Sequence, residues 1–216
     1  MKVKWLGQGC DYAEVLTLQE SCLEALRNGE VKEPVLFLLE HAPVYTMGRM
    51  RDQTSLRDRD RLPYPVEEIN RGGQATYHGP GQVVGYPIVD LEGWDHDIHA
   101  YVHGLEDCLV ETCRAFGVEA CRREGLVGIW VEDRKLASIG VGVRRWITMH
   151  GFALNVTKES LLGFQYITPC GLSDVSMTCL ESELSKKGIT RVPSSEEFGR
   201  AFAGLFEKLV KLRVKK

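Results

Sequence analysis

Between Asp11 and Asn28 apolar side chains return every three to four positions, at Val15, Leu18, Cys22 and Leu26. That period predicts an amphipathic helix, with Asp11 as its N-cap and Gly29 just past its end. The unbroken apolar run Val35–Leu39, directly after Pro34, predicts a buried strand. A turn and a second extended segment follow over His41–Arg49. Arg51–Arg61 is polar, with Asp and Arg alternating towards its end, and reads as a solvated loop. Val66–Asn70 and Gln82–Leu91 read as strands on either side of a glycine-rich stretch. Asp97–Phe116 is the clearest helix: Asp97 caps it, Ile98, Val102, Leu105 and Leu109 line one stripe, and Gly117 ends it. Three more strand patterns, Val127–Val131, Lys135–Val143 and Ile147–Val156, form a meander, the first two joined by Asp133-Arg134. Ser194 and Glu197 have capping-box spacing and open a last helix striped by Phe198, Phe202, Leu205 and Leu209. The basic tail Lys211–Lys216 is expected to fray. Strands in the middle with helices around them predict an α/β (α+β) fold, one domain over residues 1–216 with a mixed sheet.

Composition narrows the function. A chain of 216 residues, 44% hydrophobic and 26% charged, can bury one full core. With 27 basic against 30 acidic side chains the net charge is −3, which argues against nucleic acid as a partner. The N-terminus carries no signal-peptide pattern, and Val35–Leu39 is far too short to span a membrane. A cytoplasmic protein is expected, with no membrane partner. Seven scattered cysteines without a Cys-x-x-Cys pair point to reduced thiols and no structural zinc. His99 and His103 have metal-ligand spacing but no evident third ligand, so an exposed helix face is expected there.

Candidate chemistry concentrates in two places. Arg71–Gln82 packs four glycines, an arginine and a histidine into twelve residues. It reads either as a hairpin turn between two strands or as a loop that cradles a ligand against backbone. Thr168-Pro169-Cys170-Gly171 holds the best nucleophile: Pro169 extends Thr168, and Gly171 leaves room for a carbonyl to reach sulfur. The same cysteine also fits a small buried hydrophobe. A thiol nucleophile needs a partner that favours the thiolate, and His78, His150 and Lys135 are the candidates. In strand geometry Lys135 shares a face with Ala137 and Ile139, as an edge charge or as a functional group.

Five motifs together resemble one family. Arg71-Gly-Gly-Gln-x-Thr-Tyr-His-Gly-Pro-Gly-Gln82, Lys135-x-Ala-Ser-x-Gly140, His150-Gly-x-Ala-Leu-Asn-Val156, Pro169-Cys170-Gly171 and His41-x-Pro-Val-Tyr-Thr-x-Gly-Arg49 are similar to those of the lipoyl(octanoyl) transferases, in order and spacing. The resemblance runs from about residue 10 to about residue 185. It implies a fold like the catalytic domains of lipoate and biotin protein ligases. The implied activity is transfer of an octanoyl group from octanoyl-acyl carrier protein to a lysine of lipoyl domains. Acceptors would be the lipoyl domains of 2-oxoacid dehydrogenases and the glycine cleavage H protein, and no cofactor would be needed. By position, Cys170 stands where the family carries its acyl-thioester cysteine, and Lys135 where it carries the lysine that lowers that cysteine's pKa. Arg71, Gly72, Gly73, Gln74, Ala75, Thr76, Tyr77 and His78 stand where the family binds substrate. So do Ser138, Ile139 and Gly140, and Gly151, Phe152 and Ala153. Arg49, Arg144 and Arg145 are expected docking contacts for an acidic carrier. An ATP-dependent lipoate ligase on the same fold is the alternative activity; a binding module that lost the chemistry is the non-enzymatic one.

Overall fold

The computed structural model describes residues 1–49, 53–168 and 175–214. In chain order the strands and helices are β1 (Lys2–Trp5), α1 (Tyr12–Arg27), β2 (Val35–Leu39), β3 (Val44–Met47), β4 (Val66–Glu68), β5 (Ala75–His78) and β6 (Gln82–Ile88). Then come α2 (Ile98–Ala115), β7 (Cys121–Arg123), β8 (Leu126–Val131), β9 (Arg134–Arg144), β10 (Ile147–Asn155), β11 (Ser176–Met177), α3 (Leu180–Lys186) and α4 (Ser195–Val214). The main sheet runs β1-β2-β6-β10-β9-β8-β7, with β11 paired to β9. A second sheet has the order β4-β3-β5. Parallel pairs (β1 with β2, β3 with β4, β11 with β9) join antiparallel ones, so both sheets are mixed.

β2 shows why the main sheet is a central layer. Its five residues are all buried, and they alternate between two cores. Leu36 and Leu38 join the core under α2 and α4, while Val35, Phe37 and Leu39 join the one under α1. A strand covered on both faces has to read as a continuous apolar run.

The caps read in the sequence are present. Asp11 accepts from the Glu14 N–H and Asp97 from the Ala100 N–H, each at 3.0 Å. Ser194 accepts from the Glu197 N–H at 3.1 Å, but the Glu197 carboxylate turns to Arg191 (2.6 Å) instead of closing the box. Helix faces are rotated from the expected stripes. In α1 the buried residues are Tyr12, Val15, Gln19 and Leu23, with Leu18 exposed. In α4 the buried stripe continues through Phe206 and Val210, and Leu205 and Leu209 pack at its margin. In α2 Tyr101 replaces Ile98, which is exposed. His99 and His103 are both exposed, and His103 Nδ1 meets Glu106 Oε2 at 3.0 Å. No helix among the described residues is long and apolar enough to cross a membrane.

Glu183 of α3 ties down the start of β9. It accepts from Arg134 Nε (3.0 Å), from Lys186 Nζ (3.0 Å) and from the Thr178 hydroxyl. Burial alone would raise its carboxyl, but these bonds outweigh burial and bring it from 4.5 down to about 2. A carboxyl depressed by folding contributes stability above its unfolded-state pKa and loses it as pH falls through the folded-state value. Thermal melts followed by circular dichroism are therefore expected to fall more steeply from pH 4.5 to pH 2 in the wild type than in Glu183→Gln. Parallel curves would remove Glu183 as the cause.

Candidate active site

Lys135 sits near the start of β9, opposite Trp130 of β8 and beside Met177 of β11. It is 4% exposed, and its Nζ lies 5.2 Å from the centre of the Trp130 ring, over the π face. Relative to β8, β9 carries an extra residue between Lys135 and Ala137. This bulge interrupts the alternation expected to group Lys135 with Ala137 and Ile139, and Leu136 and Ala137 both enter the core under α2. Gly128 makes room for the lysine stem. Its φ is +120°, and a Cβ there would lie 2.9 Å from Lys135 Cε and strike the Ala137 carbonyl. The buried Glu106 of α2 holds this point of β8 by accepting from the Gly128 N–H at 2.9 Å.

Cys170, with Pro169 and Gly171, lies outside the described residues. Its flanks do not. On one side Thr168 donates its N–H to the Ser55 carbonyl at 2.7 Å, and Arg57 donates to the Thr168 hydroxyl (3.3 Å) and the Gln165 carbonyl (3.0 Å). On the other, Ser176 and Met177 pair with Arg134 and Lys135. The chain that follows Cys170 thus re-enters the described structure at Ser176 and Met177, alongside Lys135.

A cleft of about 470 Å³, open mouth included, runs along β9 and β10 where the two sheets part. Arg71, Gly73, Gln74, Ala75, Thr76, His78, Ser138, Ile139, Gly140, Gly151, Phe152 and Ala153 line it. Gly72 and Tyr77 do not. The Gly72 N–H is used on the Val141 carbonyl (3.1 Å), and Tyr77 turns into the second sheet's core against Tyr45, Tyr64 and Phe164. The glycine-rich stretch is therefore not a hairpin: β5 lies within it and pairs with β3, while β6 belongs to the main sheet. Gly140 lets the walls close up, since a Cβ there would lie 2.8 Å from Arg71 Cδ. Arg71 cannot yield easily, because its guanidinium donates to the Thr46 carbonyl (3.0 Å), the Thr46 hydroxyl (2.8 Å) and the Gly72 carbonyl (2.8 Å).

Histidine protonation follows from the hydrogen bonds. The Thr178 carbonyl fixes Asn155 Nδ2 as donor (3.0 Å), and the Asn155 oxygen then accepts from Gln82 Nε2 (2.9 Å). That turns Gln82 Oε1 towards His78 Nδ1 at 2.8 Å, so Nδ1 carries the proton and Nε2 the lone pair. Burial, helped by the neighbouring His41, Arg71 and His150, holds His78 well below the usual imidazole value. His41 donates from Nδ1 to the Cys10 carbonyl (3.0 Å) and accepts at Nε2 from the Tyr86 hydroxyl (2.8 Å). Burial lowers it to about 4. Neutral imidazoles therefore line or back this cleft, and Arg71 is its fixed cation.

Residues 11–207 match the lipoyl protein ligase A/B catalytic domain. The chain belongs to that family. Over 195 residues it is 48% identical to a protein of Geobacter sulfurreducens named octanoyltransferase, covering 90% of this chain and 80% of that one. The fold is also that of Plasmodium falciparum LipL1 in complex with lipoate (TM-score 0.65, 16% identity), covering 96% of this chain and 60% of that one. Biotin protein ligase from Aquifex aeolicus in complex with biotin and ATP is similar too (TM-score 0.59, 10% identity), at 97% of this chain and 70% of that one. Within the family fold the cleft has three further lining residues that sequence reading did not assign to substrate: Tyr12, Tyr86 and His150. Tyr12 lies in the predicted first helix and Tyr86 in the predicted Gln82–Leu91 strand, where burial is the default for an aromatic side chain. Pro87, next to the last residue of β6, is the sequence signal that the ladder to β10 ends there.

Proposed function

We propose that this protein is an octanoyltransferase that works through an octanoyl thioester on Cys170, with Lys135 as its proton carrier. The observation that carries the reading is a buried lysine on β9, the strand whose Ser138–Gly140 stretch lines the cleft, beside the strand that follows the Cys170 segment. Naming of the 48%-identical relative as octanoyltransferase supports it. In the first step the Cys170 thiolate attacks the thioester carbonyl of octanoyl-acyl carrier protein. The carrier's C–S bond breaks, and the carrier leaves as a thiol with a proton from Lys135. In the second step the amine of a lipoyl-domain lysine attacks octanoyl-Cys170. An amide forms, the bond to sulfur breaks, and the proton lost by the amine restores the Lys135–Cys170 pair. The twelve cleft residues hold the chain, and burying its eight carbons contributes on the order of 5 kcal/mol.

Carrier docking is assigned to Arg57, Arg59 and Arg61, because Arg57 is bonded to the chain just before Cys170. Arg144 and Arg145, also expected to meet the carrier, stand nine and ten residues along β9 and its tip from Lys135, about 30 Å at strand rise. Octanoyl transfer from carrier protein to a lipoyl domain, followed by intact mass, should proceed without ATP. Its rate should fall with added salt far more than that from a small octanoyl thioester. An absolute need for ATP would replace this reading with an adenylate-forming ligase.

A further inference from the structure

Two irregularities of the main sheet meet at Lys135. Between the pairs Cys121–Trp130 and Arg123–Leu126, one residue of β7 stands against three of β8: Val127, Gly128 and Ile129. Between the pairs Ile129–Ala137 and Trp130–Lys135, β9 carries Leu136 without a counterpart on β8. Backbone groups inside such bulges drop out of the ladder, so strand pairing alone does not hold this corner. A side chain from α2 meets the Gly128 N–H instead. Glu106 Oε1 accepts from it at 2.9 Å, and Glu106 Oε2 faces His103 Nδ1 at 3.0 Å.

Glu106 is 3% exposed, on the buried face of α2 with Tyr101, Leu105, Leu109 and Cys113. A carboxyl group among apolar side chains is unfavourable unless its oxygens are bonded, and leucine would fill the place at lower free energy. The group that Glu106 holds lies against the lysine. Gly128 presses on β9 at the Ala137 carbonyl and at Lys135 Cε, so a shift of one is passed to the other. We propose that Glu106 is a positioning residue: by holding Gly128 in the gap of β8 it keeps the slot for the Lys135 stem, and with it the place of the ammonium over Trp130. This rests on the acyl-transfer reading above, in which Lys135 carries the proton. Glu106 is not among the residues that line the cleft, so its loss should show in the rate of transfer and not in the binding of the donor.

Glu106→Leu fills the same place without an acceptor, and Glu106→Gln keeps one. Octanoyl transfer from carrier protein to a lipoyl domain is followed by intact mass over a range of carrier concentrations, for each variant alone and combined with Lys135→Met. Glu106→Leu should lower kcat by about 10- to 100-fold, the scale of misplacing a reacting group by about 1 Å, with KM for the carrier within about 2-fold of wild type. Glu106→Gln should recover kcat to within about 3-fold of wild type. Added to Lys135→Met, Glu106→Leu should bring a further loss of less than about 3-fold, because its effect passes through the lysine. The proposal is overturned by a kcat near wild type in Glu106→Leu, by equal losses in the two variants, or by the full further loss in the Lys135→Met background. Amide exchange read by NMR tests it on the wild type, whether or not the variants fold. The Gly128 N–H should be protected, and exchange at the rate of an open amide would also overturn the proposal. No octanoyl transfer by the wild type, or full activity of Lys135→Met, would instead overturn the acyl-transfer reading.

Discussion

Mixed with octanoyl-carrier protein and no acceptor, the protein should gain one octanoyl group, on Cys170. Peptide mapping should find it there, and hydroxylamine should remove it. Thiolate, not thiol, attacks a thioester, so cysteines whose thiols burial raises are poor competitors. Burial raises Cys10, Cys22 and Cys179, and pushes Cys108 up to about 12. Cys170→Ser should lose turnover by on the order of 10³-fold or more, the scale of removing a catalytic nucleophile. Octanoylation of another cysteine, or turnover by Cys170→Ser near the wild-type rate, would exclude the thioester route.

Lys135→Met should cost about 10²–10⁴-fold in transfer, the usual share of general acid–base catalysis. Methionine keeps much of the stem that fills the space above Trp130 and Gly128, so the variant should fold with a melting temperature close to wild type. Without the ammonium Cys170 should carry less thiolate, and iodoacetamide should alkylate it more slowly at neutral pH. An alkylation–pH profile that overlays the wild type, with turnover within a few-fold, would shift the base role to His78, whose Nε2 holds the free lone pair. His150 is a poorer substitute, because it pairs with Val141, six residues along β9 from Lys135.

Elements whose signal is local were legible in the sequence. Asp11 and Asp97 announce α1 and α2, and the run Val35–Leu39 announces β2, because caps and continuous burial depend on neighbouring residues. What depends on distant partners was not. Strand β1 is mostly exposed and takes its order from parallel pairing with β2, so Lys2–Trp5 carries no alternation of its own. Short strands such as β7, three exposed residues, likewise give no burial pattern. Stripes in α1 were misjudged because Gln19, polar by composition, is drawn inward by the His150 N–H left over at Pro87. At the site, Lys135 and the cleft residues were named through motifs. Their grouping was not visible, since it needs β5 and β9 to meet across two sheets, and the bulge after Lys135 breaks the period that strand reading relies on.

Gly140 and the anchored Arg71 make the width of the cleft a property of backbone, while Tyr86 and His150 contribute to its lining as single side chains. Mutation therefore acts unequally on the two dimensions. A broader, branched acyl group would require two sheets to separate, a change no one codon supplies and one that would loosen the cores beneath them. On the acyl-transfer reading, a longer chain would need only a new side chain among those that line the cleft, such as at position 150 or 86. On that reading, descendants of such a sequence would drift in the length they accept while remaining confined to straight chains.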